Sequence, residues 1–388
     1  MTIKRIICLV CALVLALSCA YADGDTSRVV LMTVGGVPVY EDDVESMAYQ
    51  LYYYGYTDSY TDYATALEYQ LYYNVAPILV VAGREEELLG DEYEALVESL
   101  GAEFDSYVLS YAESSYPENP TDEDKEAAYE EALAVYEEAG ITRESYIADS
   151  LATEAFMVIL DNLEYEPTEE EIQAAFDEEI AYEKSYFEGN VTMYEYYQMY
   201  GYSFYYVPSG YRGITHILLE VDEELLDEYN NAEDDETAEA AKTAILESVQ
   251  DEINDIYAQY EAGVPFEELI ALYNTDPGMD DPDTLAAGYP VHKDSITYMQ
   301  EFTDGAFAEE MAAPGDISSP VLTSYGVHIL YYLRDIPEAE LTDEVREELI
   351  SSLRSENEYN IVVGWLKEYE VVYGDTYSEL ITEATFLD

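Results

Sequence analysis

The chain has 388 residues, room for two or three domains, and carries 86 acidic against 14 basic side chains, a formal net charge of −72. That balance argues against nucleic-acid binding through phosphate neutralisation and repels anionic lipids or wall polymers; it reads as solvated surface. Apolar residues reach 49%, but 43 tyrosines swell that figure, so the cores are expected to be modest and the surfaces suited to shallow contact.

Lys4 and Arg5 precede an apolar run from Ile6 to Leu17 that is too short to span a bilayer comfortably and is followed by small residues. Residues 1–22 therefore read as a secretory signal peptide. Ala20-Tyr21-Ala22 supplies an A-x-A cleavage site that makes Asp23 the mature N-terminus; Ala16-Leu17-Ser18-Cys19 is the less favoured alternative, a lipobox-like stretch in which Cys19 would carry a lipid anchor. Either route places the protein outside the cytoplasm, secreted or associated with the cell envelope. Cys8, Cys11 and Cys19 are the only cysteines, so cleavage after Ala22 leaves no disulfide framework, thiolate nucleophile or cysteine metal site. No metal is expected either from Asp280, Asp281 and Asp283, which do not follow the EF-hand spacing.

Val29 to Pro38 predicts two strands around a Gly35-Gly36 turn. A helix follows with Val44, Met47, Ala48 and Leu51 on one stripe and Asp42 and Asp43 near its positive end. Further helices are predicted at about 62–76, 78–89, 91–113, 122–139 and 143–163, punctuated by Pro77 and Gly90. Thr168 and Glu171 form a capping box that opens a helix through Phe176 and Ile180. Residues 23–182 thus make an N-terminal helical domain. Residues 183–212, crowded with tyrosine, read as a connecting arm with some extended structure packed on one of the domains.

Residues 213–335 form the next domain. Gly213–Leu219 and Ser324–Leu330 are short β-rich runs, each holding one of the chain's three histidines. Side-chain alternation puts Ile214, His216 and Leu218 on one face, and His328 with Leu330 likewise, so neighbouring strands would bring the two imidazoles side by side. An acidic insert of about 221–262 carries a helix from about 234 to 262 with Ile245, Val249, Ile253, Ile256 and Tyr260 along one stripe. Phe266, Leu269, Ile270 and Tyr273 mark a short helix stopped by Asp276-Pro277-Gly278. Gly288-Tyr289, the segment Met299–Phe302 running on to Ala308, and Pro314–Val321 complete the domain. Strand, helix, turn, helix and strand make an α+β unit with helices over an antiparallel sheet, and Met299 and Phe302 are placed to line an apolar pocket beside the histidine strands. His292 is read as a surface residue. Beyond it, residues 336–388 hold a long helix capped by Thr342, with Val345, Leu349, Leu353, Trp365 and Leu366 on its buried side, and a final strand from Tyr369 to Tyr373.

Those motifs, in that order, resemble the parvulin-type (PpiC, rotamase) peptidyl-prolyl isomerases. The strand-turn-strand-helix opening and the segment Pro167–Ile172 are similar to the chaperone domain of extracytoplasmic foldases of the PrsA and SurA type. The resemblance implies an α+β chain in which a helical chaperone lobe, built from the N-terminal region plus the C-terminal helix, receives the parvulin domain as an insertion. It further implies an exported isomerase and foldase, acting on unfolded or proline-containing polypeptides and needing no cofactor. By position, His216 and His328 match the paired histidines, Asp276 the Asp or Cys beside the twisting amide, Phe302 the aromatic of the proline pocket and Thr323 a polar residue near the second histidine. Tyr298 stands at the usual pocket methionine, with Met299 next to it, and Ala287-Gly288-Tyr289-Pro290 replaces a Leu-Gly-Trp-Phe-like stretch. Those departures leave an alternative, an inactive parvulin-fold holdase; an adhesive tyrosine-rich surface protein would leave the ordered motifs unexplained.

Overall fold

The structure, a computed structural model, describes residues 28–117, 119–138 and 140–387; the leader, its cleavage site and Cys19 lie outside them. Two compact units result: one joins the chain up to Thr168 with residues from Ile350 onward, and the other is Glu169–Leu349.

In the first unit Val30–Val34 (β1) and Val37–Tyr40 (β2) form the expected antiparallel hairpin. On the other edge of β1 lies a strand from the far end of the chain, Val371–Tyr373 (β7, the last of seven strands among the described residues). The helix Glu41–Tyr53 buries Val44, Met47, Ala48 and Leu51 and places Glu41, Asp42 and Asp43 in its first turn, where the helix dipole favours them. Tyr63–Gln70, a π-helical turn at Leu71–Val75 and Ala76–Val81 follow one another, and Ala82 ends the run in the left-handed region. Tyr93–Ser114, Asp122–Glu138 and Arg143–Asp161 then add Phe104, Val108, Tyr136, Tyr146 and Phe156 to the core. The third of these helices opens with a reciprocal cap between Thr142 and Ser145. The long helix Asp343–Leu366 crosses the unit boundary, and its later turns bury Val362 and Leu366 in the same core. There the Tyr72 hydroxyl donates to Glu358 at 2.9 Å.

The second unit is built on Arg212–Leu219 (β3), Tyr289–Val291 (β4), Val321–Thr323 (β5) and Gly326–Asp335 (β6), antiparallel in the order β4-β3-β6-β5. Alternation gives the sheet two unlike faces. Ile217, Leu219, Val327 and Ile329 pack under helices; Ile214 and Leu330 face the other way, with Phe302, Ala306 and Met311 over them.

Three features differ from the sequence expectation. The insert holds a helix Glu223–Asn230 and then two helices, Asp235–Ser248 and Gln250–Glu261, meeting at Val249, where φ is −110°. The break keeps Ile245, Val249, Ile253 and Ile256 all on the sheet. The tyrosine-rich stretch contains a helix, Val191–Met199, capped by Asn190. It belongs, with the preceding helix Glu169–Phe187, to the second unit, because Phe187, Val191, Tyr194, Tyr206 and Tyr211 bury one another in a small core. His292 is 6% exposed and is therefore not a surface residue; its ring lies 5.1 Å from that of Tyr211 and its Nδ1 accepts from the Asp294 N–H at 3.0 Å. Among the described residues no helix is long and apolar enough to cross a membrane, and no group of His, Cys, Asp and Glu could hold a metal ion.

Candidate active site

The register of β3 on β6 pairs His216 with Leu330 and Leu218 with His328, which sets the two histidines diagonally across the centre of the sheet. Both are buried, 3% and 4% exposed. Their rings stack at 5.0 Å with Nδ1 facing Nδ1 at 3.0 Å. His216 Nε2 lies 2.6 Å from Asp276 Oδ2, and His328 Nε2 lies 2.8 Å from Thr323 Oγ1. The result is one hydrogen-bonded row, Asp276–His216–His328–Thr323, lying along one face of the sheet.

Proton counting orders that row. A carboxylate only accepts, so His216 Nε2–H donates to Asp276. One proton serves the Nδ1 pair. If His328 supplies it, His328 Nε2 is an acceptor and takes the Thr323 hydroxyl proton, while Thr323 Oγ1 accepts from the Tyr325 N–H at 3.1 Å. Every ring nitrogen of the two histidines is then used once. Burial first, and then the neighbouring His216, push His328 down to about 3, in keeping with an imidazole that stays neutral.

Asp276 owes its place to a fastened turn. Asn274 Oδ1 accepts from the backbone N–H groups of Leu218 and Asp276, both at 3.0 Å, and Thr275 N–H donates to Leu218 O at 3.0 Å, so the turn is tied to the end of β3. Asp276 Oδ1 accepts from Gly278 N–H at 3.0 Å, an Asx-type turn closed by Pro277. The Tyr289 hydroxyl donates to Oδ2, also at 3.0 Å. A Cβ at residue 278 would sit 1.7 Å from the Tyr289 hydroxyl oxygen, so only glycine there lets the phenol through. The hydrogen bond from His216, followed by those from Gly278 and Tyr289, holds the Asp276 carboxyl well below the usual range against the opposing effect of burial. Burial and Asp276 in turn push the Tyr289 hydroxyl up to about 12.

An apolar wall stands beside the row. Phe302, 5% exposed on the helix Gln300–Ala306, stands nearly perpendicular to both imidazoles, its ring centre 5.3 Å from that of His216 and 5.4 Å from that of His328. Tyr298 stacks on Phe302 at 5.7 Å and leans on Tyr289 at 5.8 Å. Met299 caps the helix, half-buried, and the Ser324 hydroxyl donates to its Sδ at 3.2 Å. The seven residues singled out from the sequence therefore fall together: His216, Asp276, His328 and Thr323 in the row, Tyr298, Met299 and Phe302 along its side. Sequence reasoning missed Tyr289 and Asn274 as members of the site. The signal for Tyr289 was its position inside Ala287–Pro290, one of the two departures from the family pattern. The signal for Asn274 was an Asx residue two places before Asp276.

Residues 216–334 match the family model for the rotamase, PPIC-type PPIASE domain, and the histidine row begins at the first matched residue. Over that segment the chain is similar to the PPIC-type rotamases. No curated protein sequence matches the chain. Among solved structures, PrsA from Bacillus subtilis is similar at 17% identity, over 72% of this chain and 87% of that one, with a TM-score of 0.22. PrsA from Bacillus anthracis is similar at 16% identity over 71% and 95%, TM-score 0.22. A structure of SurA-like chaperones from Campylobacter jejuni is similar at 16% identity over 68% and 91%, TM-score 0.23.

Proposed function

We propose that the protein is an exported peptidyl-prolyl cis/trans isomerase that assists the folding of secreted polypeptides. The observation that carries the reading is the buried row Asp276–His216–His328–Thr323 lying directly against the Phe302 ring, inside the PPIC-type segment. The barrier to isomerisation is the loss of amide resonance on twisting, and no bond is made or broken, so a catalyst only has to favour the twisted amide over the planar one. The proline ring would rest on Phe302, Met299 and Tyr298, away from water. The preceding carbonyl would face Asp276. Resonance places negative charge on the carbonyl oxygen of the planar amide and twisting withdraws it, so a charged carboxylate disfavours the planar form more than the transition state. The hydrogen bonds from His216 and Tyr289 hold that carboxylate in place and in its charged form. His216, Asp276 and His328 are the catalytic set on this reading, with Tyr298, Met299, Phe302 and Thr323 shaping the substrate site.

A second reading has its own support. Tyr49, Tyr53 and Tyr60 of the first unit are 57%, 69% and 60% exposed, with Tyr52 and Tyr54 beside them, a surface suited to loose contact with unfolded chains. A holdase with an idle isomerase domain would use that surface alone. The chain from Asp23 onward, assayed on a set of Xaa-Pro tetrapeptides and on aggregation of an unfolded client, separates the two. Acceleration of peptide exchange supports the isomerase; suppressed aggregation without acceleration on any peptide supports the holdase. The intact mass of the exported protein tells cleavage before Asp23 from a lipid at Cys19.

A further inference from the structure

Glu195 is 2% exposed, the one acidic side chain buried to that degree among the described residues. It sits on the helix Val191–Met199, ahead of the segment that matches the rotamase family. No cation faces it. Instead its Oε1 accepts from the Tyr211 hydroxyl at 2.8 Å and the Ser295 hydroxyl at 2.6 Å. Its Oε2 accepts from the Ile296 N–H at 2.6 Å and from both the N–H and the hydroxyl of Thr297 at 3.0 Å. Four of those five donors belong to three consecutive residues of an otherwise exposed loop, and the next residue in the chain is Tyr298. The fifth, Tyr211, leads into β3, and its hydroxyl is pushed up by burial and by Glu195, so it stays a donor.

A buried carboxylate with five donors converging on it is held in one geometry, because every lone pair is committed and none can be released to water. The loop it gathers is otherwise held by the Ser295 N–H on His292 O at 3.0 Å, and Ile296 is 47% exposed. Tyr298 follows with its ring flat on Phe302, and its hydroxyl lies close enough to Glu195 for that charge, after burial and Tyr289, to push its ionisation up.

We infer that Glu195 is a positioning residue for the proline site, setting the Ser295–Thr297 loop so that Tyr298 completes the wall along Phe302. The tyrosine-rich extension is then part of the substrate site, and its effect is on peptide affinity more than on the twisting step. The inference rests on the isomerase reading, and the test keeps the two apart.

In Glu195→Gln the amide turns two of its own N–H groups toward donors whichever way it is placed. The expected result is a KM for an Xaa-Pro peptide raised about tenfold with kcat within about twofold, a rise that corresponds to weakened ground-state and transition-state binding alike. The amide protons of Ile296 and Thr297, followed by NMR, move upfield as the charge-assisted bonds are lost. Tyr211→Phe and Ser295→Ala each remove one donor, keep the carboxylate and are expected to raise KM less; they carry the test if Glu195→Gln fails to fold. Absence of turnover in the unsubstituted chain counts against the isomerase reading, and peptide affinity by calorimetry then judges Glu195 by the same expected tenfold loss. Unchanged KM and unchanged affinity in folded variants whose loop amides have moved overturns the inference.

Discussion

The two units hold their sheets in opposite ways. In the first, the buried side chains are almost all apolar, with Gln50, Gln70 and Thr385 the polar exceptions. In the second, Glu195, Thr215, His216, His292, Thr303, Ser318, Thr323 and His328 are buried, including every histidine of the chain. A polar group taken from water costs free energy unless it is hydrogen-bonded, so the second sheet depends on its histidine row staying fully paired, as Asp276 and Thr323 at its two ends keep it here, whereas the first depends on apolar packing alone.

The largest expected effect separates the units by mutation. Phe302→Ala opens a cavity against both histidines and is expected to cost the second unit about 3–5 kcal/mol, together with its turnover. The first unit should be untouched. Trp365, the only tryptophan, lies in the first unit, so its fluorescence in denaturant follows that unit, while hydrogen exchange of the Ile217 and Ile329 amides follows the second. An equal loss in both probes would mean that the two units unfold as one.

Acid should separate them next. His328 titrates near 6.5 when unfolded and is pushed down to about 3 when folded, so its contribution is complete above pH 6.5 and is lost as pH falls from there toward 3, at about 1.4 kcal/mol per pH unit. His292 is also lowered, chiefly by burial, and adds in the same direction. Asp276, held below its ordinary value, adds to the loss only below about pH 3.8. In the first unit Asp43, Glu45 and Asp149 are raised, chiefly by burial, so the folded form takes up protons more readily and gains stability as pH falls. Glu183 opposes the trend in the second unit. Unfolding curves between pH 7 and 4.5 should therefore show the second unit weakening while the first holds or gains.

A smaller effect tests the proton order of the row. Thr323→Val keeps the shape but removes the hydroxyl, leaves His328 Nε2 without its donor and is expected to cost about 1–3 kcal/mol in the second unit. No loss would mean that His328 Nε2 finds another partner. Least of all, Thr142→Ala breaks the cap of Arg143–Asp161 and should cost the first unit about 1 kcal/mol with isomerase activity unchanged.

What the sequence disclosed follows from how local each signal is. The period-two alternation around His216 and His328 fixed which face they share, and the Asp276-Pro277-Gly278 turn marked where a helix stops. Leu218 to Asn274 and Asp276 to Tyr289 are contacts between residues 56 and 13 positions apart, and nothing in local spacing announces them. Glu195 is one acid among 86, distinguished only by burial that the fold creates. His292 carries no apolar periodicity around it, and its burial depends on Tyr211, far back in the chain. The helix Val191–Met199 was masked by tyrosines, whose propensity favours strands; their mutual packing decided the outcome.

The most direct measurement is cis-to-trans exchange of an Xaa-Pro peptide, followed by NMR at equilibrium, with the chain from Asp23 and with its Asp276→Ala variant after both are shown to be folded. Acceleration by the first and a loss of at least about tenfold, some 1.4 kcal/mol, in the second are expected. Equal acceleration by both would contradict the role given to the carboxylate, and none by either would contradict the isomerase itself.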